Sequence, residues 1–65
     1  MAVNVAVETI HPNGTRDMKV IDHDDHASRV WLGRHCFWAM RNGRTVLTGP
    51  TSAPVSYVPK EEIAA

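Results

Sequence analysis

Apolar and polar residues alternate near the start of the chain with the two-residue period of a β-strand. From Val3 to Ile10, the odd positions carry valine or threonine, whereas the even positions before Ile10 carry asparagine, alanine and glutamate. Successive side chains of a strand point to opposite faces, so this pattern predicts a strand with one buried face.

The dipeptide Asn13-Gly14 predicts a tight turn between this strand and a second one. Asn-Gly best tolerates the positive φ angles of a type I′ hairpin turn, and Pro12 suits the end of the pairing rather than its middle. A two-residue turn here fixes the register, so that apolar side chains face apolar ones and charges face opposite charges. It pairs Val7 with Val20, Thr9 with Met18 and Glu8 with Lys19.

The acidic run Asp22-His23-Asp24-Asp25 predicts the end of the second strand and a helix that starts at Asp24 or Asp25. Aspartates disfavour a strand, but their carboxylates accept hydrogen bonds from the free amides of a helix's first turn. The helix is predicted to end at Asn42-Gly43, because glycine favours the left-handed C-terminal cap. In an alternative, the helix stops near Leu32 with Gly33 as its cap, and Asn42-Gly43 is the turn of a second hairpin that joins 35–41 with 44–48.

The remaining residues predict a third strand and an extended arm. Arg44 to Thr48 has the composition of a strand. After Gly49-Pro50, prolines recur too closely for a helix and disfavour a central strand. The sequence therefore predicts an α+β domain of order β-β-α-β over residues 1–49, with an extended arm over residues 50–65. The alternative with a short helix has the order β-β-α-β-β.

Charge is segregated along the chain, although the formal net charge is zero. Residues 1–25 carry −3, residues 26–59 carry +4 and residues 60–65 carry −1. The basic segment has no carboxylate and contains both tryptophans and the single phenylalanine. We therefore expect it to form the contact surface for a partner. Its arginines are Arg29, Arg34, Arg41 and Arg44.

A chain of 65 residues predicts one domain with a small core. Folding of so short a chain removes only about 60% of the unfolded surface from water. Cys36 is the single cysteine and cannot close an internal disulfide, so a buried thiol in a reducing compartment is the common outcome. No export signal and no apolar run of membrane-spanning length is evident. We therefore expect a cytoplasmic protein that does not enter membranes.

Histidines near the acidic run are the candidates for a metal site. His23 and His26 have a spacing at which both could reach one zinc ion at a helix start, whereas adjacent His35 and Cys36 point in different directions. The sequence contains none of the common motifs for nucleotide, acyl-transfer or metalloprotease chemistry. The prediction is therefore no cofactor and no enzymatic activity, with His23 and His26 as the alternative metal ligands.

Binding to a larger protein fits more of these features than any other function. Tryptophan and arginine dominate binding hot spots, and the predicted helix carries more apolar side chains than one small sheet can cover. We expect the four arginines to pair with acidic groups, Trp31 or Trp38 to supply an apolar anchor, and Tyr57 to anchor the arm. A second copy of the chain is another candidate to cover this surface.

Nucleic acid is the main alternative partner, because arginine pairs with phosphate and aromatic rings stack on bases. The sequence pI of about 6.9 is far below the values above about 9 that dedicated nucleic-acid domains show. The size is that of the short accessory proteins that bacteriophages and mobile elements encode to act on host machinery, although no residue motif carries that likeness. The expected function is a regulatory, non-catalytic binding module.

Overall fold

The computed structural model describes residues 3–60, which form three strands and one helix. The elements in chain order are β1 (Asn4–Ile10), β2 (Arg16–Asp22), α1 (His26–Arg41) and β3 (Thr45–Thr51). β1 is the central strand of a sheet of order β2-β1-β3 and is antiparallel to both neighbours. The predicted α+β class and the order β-β-α-β are therefore confirmed.

The hairpin between β1 and β2 forms at the predicted place, but its loop has three residues instead of two. Asn13 has a negative φ, which excludes a type I′ turn, whereas Gly14 has a φ of +87°. The Gly14 amide donates to the His11 carbonyl and the His11 amide donates to the Thr15 carbonyl, each at 2.9 Å. This is the arrangement of a three-residue loop with a bulge at the glycine.

The extra loop residue moves β2 by one position, so the predicted register is wrong. Lys19 rather than Val20 lies opposite Val7, Asp17 rather than Met18 lies opposite Thr9, and Met18 rather than Lys19 lies opposite Glu8. Because directly opposite residues share a face of the sheet, a one-residue shift exchanges the two faces of β2. Lys19 therefore lies on the face of the sheet that α1 covers.

Helix α1 begins at His26 with Asp25 as its N-cap, as the acidic run predicts. The Asp25 carboxylate accepts hydrogen bonds from Ser28 N and Ser28 Oγ, each at 3.0 Å. The helix continues through Gly33 to Arg41. The alternative with a short helix is therefore wrong, because the packing of α1 on the sheet outweighs the roughly 1 kcal/mol that glycine costs inside a helix.

The C-terminus of α1 closes in a Schellman motif, which confirms the predicted cap at Asn42-Gly43. Gly43 has a φ of +68°. The Arg44 amide donates to the Ala39 carbonyl at 2.8 Å, and the Gly43 amide donates to the Met40 carbonyl at 3.4 Å. These are the two hydrogen bonds that define the motif. The cap reverses the chain directly into β3.

Strand β3 is longer than the predicted segment from Arg44 to Thr48. It includes Gly49-Pro50 and ends at Thr51. Proline has no amide to donate, but it is tolerated here because β3 is an edge strand. The extended arm therefore begins two residues later than predicted.

The arm over residues 52–60 has no helix or strand and lies along its own domain. The amides of Ser56 and Tyr57 donate to the Val20 carbonyl at 2.9 and 3.1 Å. In return, the Val20 amide donates to Ser56 Oγ at 2.7 Å. The arm thus covers part of the outer edge of β2. The predicted arm continues to residue 65, which lies outside the described residues.

The core within residues 3–60 is small. Its buried apolar side chains are Val7, Val20, Ile21 and Ala39. On α1, only Ser28 and Ala39 are buried, so most of the helix's large apolar side chains remain in contact with water. Helix α1, the one helix in this part of the chain, is too short and too polar to cross a lipid bilayer.

Candidate functional site

Four aromatic rings form a continuous row between α1 and the arm. Trp31, His35 and Trp38 are spaced i, i+4 and i+7, which places them on one side of the helix. The His35 ring centroid is 4.8 Å from that of Trp31, with 12° between the planes, and 5.5 Å from that of Trp38, with 26°. Tyr57 of the arm lies 4.8 Å from Trp31. We call these four residues the ring stack.

Positive side chains lie against both ends of the ring stack. Lys19 Nζ is 4.4 Å from the ring centroid of Tyr57 and 5.4 Å from that of Trp31. At the other end, the Arg44 guanidinium carbon is 4.7 Å from the ring centroid of Trp38. Such contacts contribute about 0.5–1 kcal/mol each at exposed sites. The stack therefore explains how Lys19 is accommodated on the helix-covered face of the sheet.

The surroundings of His35 control its hydrogen bonding and its protonation. His35 Nε2 and Thr9 Oγ1 share a hydrogen bond of 2.7 Å, and Thr9 is buried. Partial burial lowers the pKa of His35 from its usual value of 6.5, and the positive charge of the nearby Lys19 lowers it further. The neutral imidazole therefore predominates at neutral pH.

A chain of hydrogen bonds holds Arg44 over the Trp38 ring. Arg44 Nε donates to His11 Nδ1 at 2.8 Å, and His11 Nε2 donates to the Asp17 carboxylate at 2.6 Å. Arginine can only donate, so His11 Nδ1 is the acceptor and the ring proton lies on Nε2. Both nitrogens of His11 are thus engaged. His11 orients Arg44 and does not present a free base.

The ring stack and the hairpin enclose a partly open cleft of about 280 Å³, just below the usual range of small-molecule sites. Its lining includes groups that perform acid–base chemistry in enzymes, but they are paired with one another. Thr9 bonds with His35, and His11 bonds with Arg44 and Asp17. These pairs stabilise the arrangement of the hairpin, the helix and the stack.

A second set of side chains faces solvent along one side of α1. Positions i, i+4, i+7, i+8 and i+11 fall within an arc of about 100° on a helix. We call these residues the outer stripe: Val30, Arg34, Phe37, Trp38 and Arg41. Phe37 is 59% exposed and Trp38 is 43% exposed. The Arg41 guanidinium carbon lies 5.6 Å from the ring centroid of Phe37.

The structure brings together some of the sequence-predicted partner-binding residues and separates others. Arg34, Arg41 and Trp38 share the outer stripe, and Arg44 lies beside it on the Trp38 ring. Arg29 is exposed about 140° around the helix from Arg34, on a different side. Trp31 and Tyr57 are half-buried in the ring stack. Trp38 is therefore the tryptophan that is available as an anchor.

The alternative metal ligands His23 and His26 are both exposed. Among residues 3–60, no three His, Cys, Asp or Glu side chains are grouped closely enough to hold a metal ion. Cys36 is a free, half-buried thiol on α1.

Lys19, His11 and His35 were not predicted from the sequence as members of this region, whereas Phe37 was expected there only as part of the basic segment. His35 carries a readable signal, because it lies four residues after Trp31 and three before Trp38. Phe37 also falls within the stripe once Arg34 and Arg41 are placed on one helix. The sequence around Lys19 and His11 gives no such signal. The incorrect register in fact placed Lys19 on the opposite face of the sheet.

Comparisons with models of protein families, with curated proteins and with solved structures find no match for this chain.

Proposed function

We propose that this protein is a non-catalytic module that docks on a larger protein through the outer stripe. The observation that carries this proposal is the exposure of Phe37 and Trp38 on the same side of α1 as two arginines. Aromatic residues and arginine are the types that contribute most at protein interfaces. An exposed apolar patch with a charged border is a common mark of such a site.

The charge of the stripe specifies the chemistry of the partner. No carboxylate occurs between residues 26 and 59, so the segment of the chain that carries the stripe is positively charged. A complementary surface carries apolar side chains for Phe37 and Trp38 and acidic side chains for Arg34 and Arg41. The partner in this proposal is therefore a protein with an acidic and apolar segment.

The ring contacts favour a protein partner over the nucleic-acid alternative. Base stacking requires open ring faces. In this structure, Arg44 lies over Trp38, Arg41 lies over Phe37, and Lys19 lies over Trp31 and Tyr57. Each cation occupies one face of its ring, which leaves fewer faces for stacked bases, whereas apolar and acidic side chains of a protein can contact the ring edges and the cations together.

Two supporting proposals concern the setting of the protein. A single free cysteine suits a reducing compartment, and we place the protein in the cytoplasm on that ground. The engaged state of His11 and Thr9 supports a binding role rather than catalysis. A small domain that only docks is suited to act as a regulatory accessory to a larger machine.

Charge reversal on the stripe tests the proposal directly. The partner is captured on the immobilised protein, purified, and its affinity for variants is measured by calorimetry. Arg34→Glu/Arg41→Glu is expected to weaken binding about 30-fold or more, since loss of a hot-spot arginine costs about 2 kcal/mol. Circular dichroism checks that the variant is folded.

The matched control is Arg16→Glu/Arg29→Glu, which changes the net charge equally at exposed arginines outside the stripe. Its affinity is expected to stay within about threefold of the wild type, because charges away from the contact act only at long range. Equal losses in the two double variants, or no loss in either, would contradict docking through the outer stripe.

A further inference from the structure

The two edge strands of the sheet, β2 and β3, differ in charge and in how far other segments cover them. β2 carries the charged residues Arg16, Asp17, Lys19 and Asp22, and the arm covers its edge at Val20. Charges and covering segments are the usual means by which proteins block pairing along an exposed edge. β2 is therefore a protected edge.

β3 has neither form of protection. The strand Thr45–Thr51 contains no charged residue, and its proline lies next to its last residue. Within residues 3–60, β3 pairs only with β1, and no backbone group outside β1 bonds to the backbone of β3. Along β3, the backbone groups of alternate residues point away from β1, where a further strand can bond to them. Leu47 on this strand is 50% exposed.

We propose that a second copy of the chain pairs with β3 along this edge, forming one antiparallel six-stranded sheet. A twofold axis perpendicular to the sheet keeps both helices on one face of the combined sheet. Residues of the two copies that lie opposite each other are then on the same face. Leu47 then lies opposite Leu47 of the second copy, and Val46 lies opposite Thr48. The five-residue ladder from Thr45 to Gly49 excludes Pro50, which could not donate to it.

The composition of β3 argues for self-pairing. In the proposed antiparallel register only Leu47 faces its own copy, and all the facing pairs are uncharged, so no like charges oppose the pairing. The apolar Leu47 side chains gain a partner at the centre of the ladder. Five paired residues bury less than the roughly 800 Å² per partner of a standard interface, so the dimer is expected to be weak and concentration-dependent.

Cross-linking tests the register of the proposed dimer. Leu47→Cys and Met18→Cys are compared, both in a Cys36→Ser background and at equal concentration under mild oxidation. Met18 is the matched control because both residues are opposite Glu8 on the same sheet face, but Met18 is on β2. It is 63% exposed.

Directly opposite residues of an antiparallel pair have Cα atoms about 4.5–5.5 Å apart, which is within the range that a disulfide spans. Leu47→Cys is therefore expected to form disulfide-linked dimers about tenfold faster than Met18→Cys, because pairing raises the effective concentration of the thiol. Equal rates for the two variants would overturn the proposal.

Sedimentation from micromolar to millimolar concentration provides a second measurement that needs no disulfide. The wild type and Met18→Lys are expected to shift from monomer to dimer, whereas Leu47→Lys stays monomeric because two ammonium ions would lie side by side. A wild type that is monomeric throughout the range overturns the proposal. So does a dimer that Leu47→Lys leaves intact, or one that Met18→Lys disrupts equally, since another surface would then be responsible.

Pairing along β3 and docking through the outer stripe use different surfaces of the protein. Leu47→Lys is expected to leave partner affinity unchanged, and Arg34→Glu/Arg41→Glu is expected to leave the sedimentation of the protein alone unchanged. The two proposals can therefore fail separately.

Discussion

His35 links the sheet, the helix and the arm through one side chain. It shares a hydrogen bond with buried Thr9 of β1 and stacks on Trp31, which in turn contacts Tyr57. Its neutral form is the one that these surroundings favour, because partial burial and the positive charge of Lys19 both lower its pKa. Protonation of this ring is therefore less favourable in the folded protein than in the unfolded chain.

The stability of the protein is expected to fall on mild acidification because of His35. The folded pKa lies below the usual value of 6.5, so the unfolded chain binds more protons between those two values. The stabilising contribution is fully present above pH 6.5 and is lost as the pH falls toward the lowered pKa. Urea unfolding at a series of pH values measures the free energy of unfolding that should show this decrease.

Thr9→Val/His35→Phe keeps a ring in the stack and replaces both hydrogen-bonding partners by apolar groups. Its free energy of unfolding is expected to depend less on pH across the same window than that of the wild type. In Lys19→Met, an NMR titration should place the pKa of His35 higher than in the wild type. An unchanged pH dependence in the double variant would show that His35 does not cause the loss.

At the level of single elements, local chemistry decides both ends of α1. Among the residues that the structure describes, Asp25 alone supplies a side chain that caps the first turn, and that turn has no acidic residue of its own. The carboxylate satisfies both the amide and the hydroxyl of buried Ser28. The N-cap is therefore expected to contribute measurably to the stability of a domain with so small a core.

Asp25→Ala is expected to destabilise the protein by about 1 kcal/mol, because the Ser28 amide loses its acceptor. For a domain of this size, that corresponds to a decrease in Tm of about 4–8 °C, measured by thermal unfolding. Asp24→Ala is the matched control, since the exposed Asp24 carboxylate makes no hydrogen bond within residues 3–60. Equal decreases in both variants would show that acidic charge, and not the cap, stabilises the helix start.

The sequence predicts well those features that depend on neighbours in the chain. The acidic run and Asn42-Gly43 specify the two ends of α1, because caps are satisfied by residues within one turn. The hairpin register depends instead on the φ angle of Asn13. This angle is negative, and the loop is therefore one residue longer than a type I′ turn. The dipeptide Asn-Gly is compatible with both a two-residue and a three-residue hairpin loop, and the two loops give different registers of β1 and β2.

Features that depend on residues far apart in the chain could be predicted from the sequence only in part. The seven-residue spacing of Arg34 and Arg41 is enough to place them on one face of a helix, and α1 does contain both. The position of Lys19 against the ring stack depends on the register of β2, so the register error hid it. The contact of Tyr57 with Trp31 depends on where the arm packs. The spacing of the prolines predicts that the arm is extended, but not the surface on which it lies.

For the molecule as a whole, a thin two-layer arrangement leaves much apolar surface without internal cover. Its largest dimensions are 35 × 35 × 13 Å, and few side chains are buried between the layers. The outer stripe of α1 and the free edge of β3 are separate surfaces with different chemistry, one basic and aromatic and one uncharged. We expect the first to bind a different protein and the second to bind another copy of the chain.

The most direct test of docking through the outer stripe is hydroxyl-radical footprinting of the complex with the captured partner. Phe37 and Trp38 are expected to oxidise several-fold more slowly in the complex than in the free protein, because the partner excludes water from them. Exposed Met18 on the opposite side of the sheet is the internal reference and should oxidise at the same rate in both. Unchanged oxidation of Phe37 and Trp38, with protection of Met18 instead, would contradict the account.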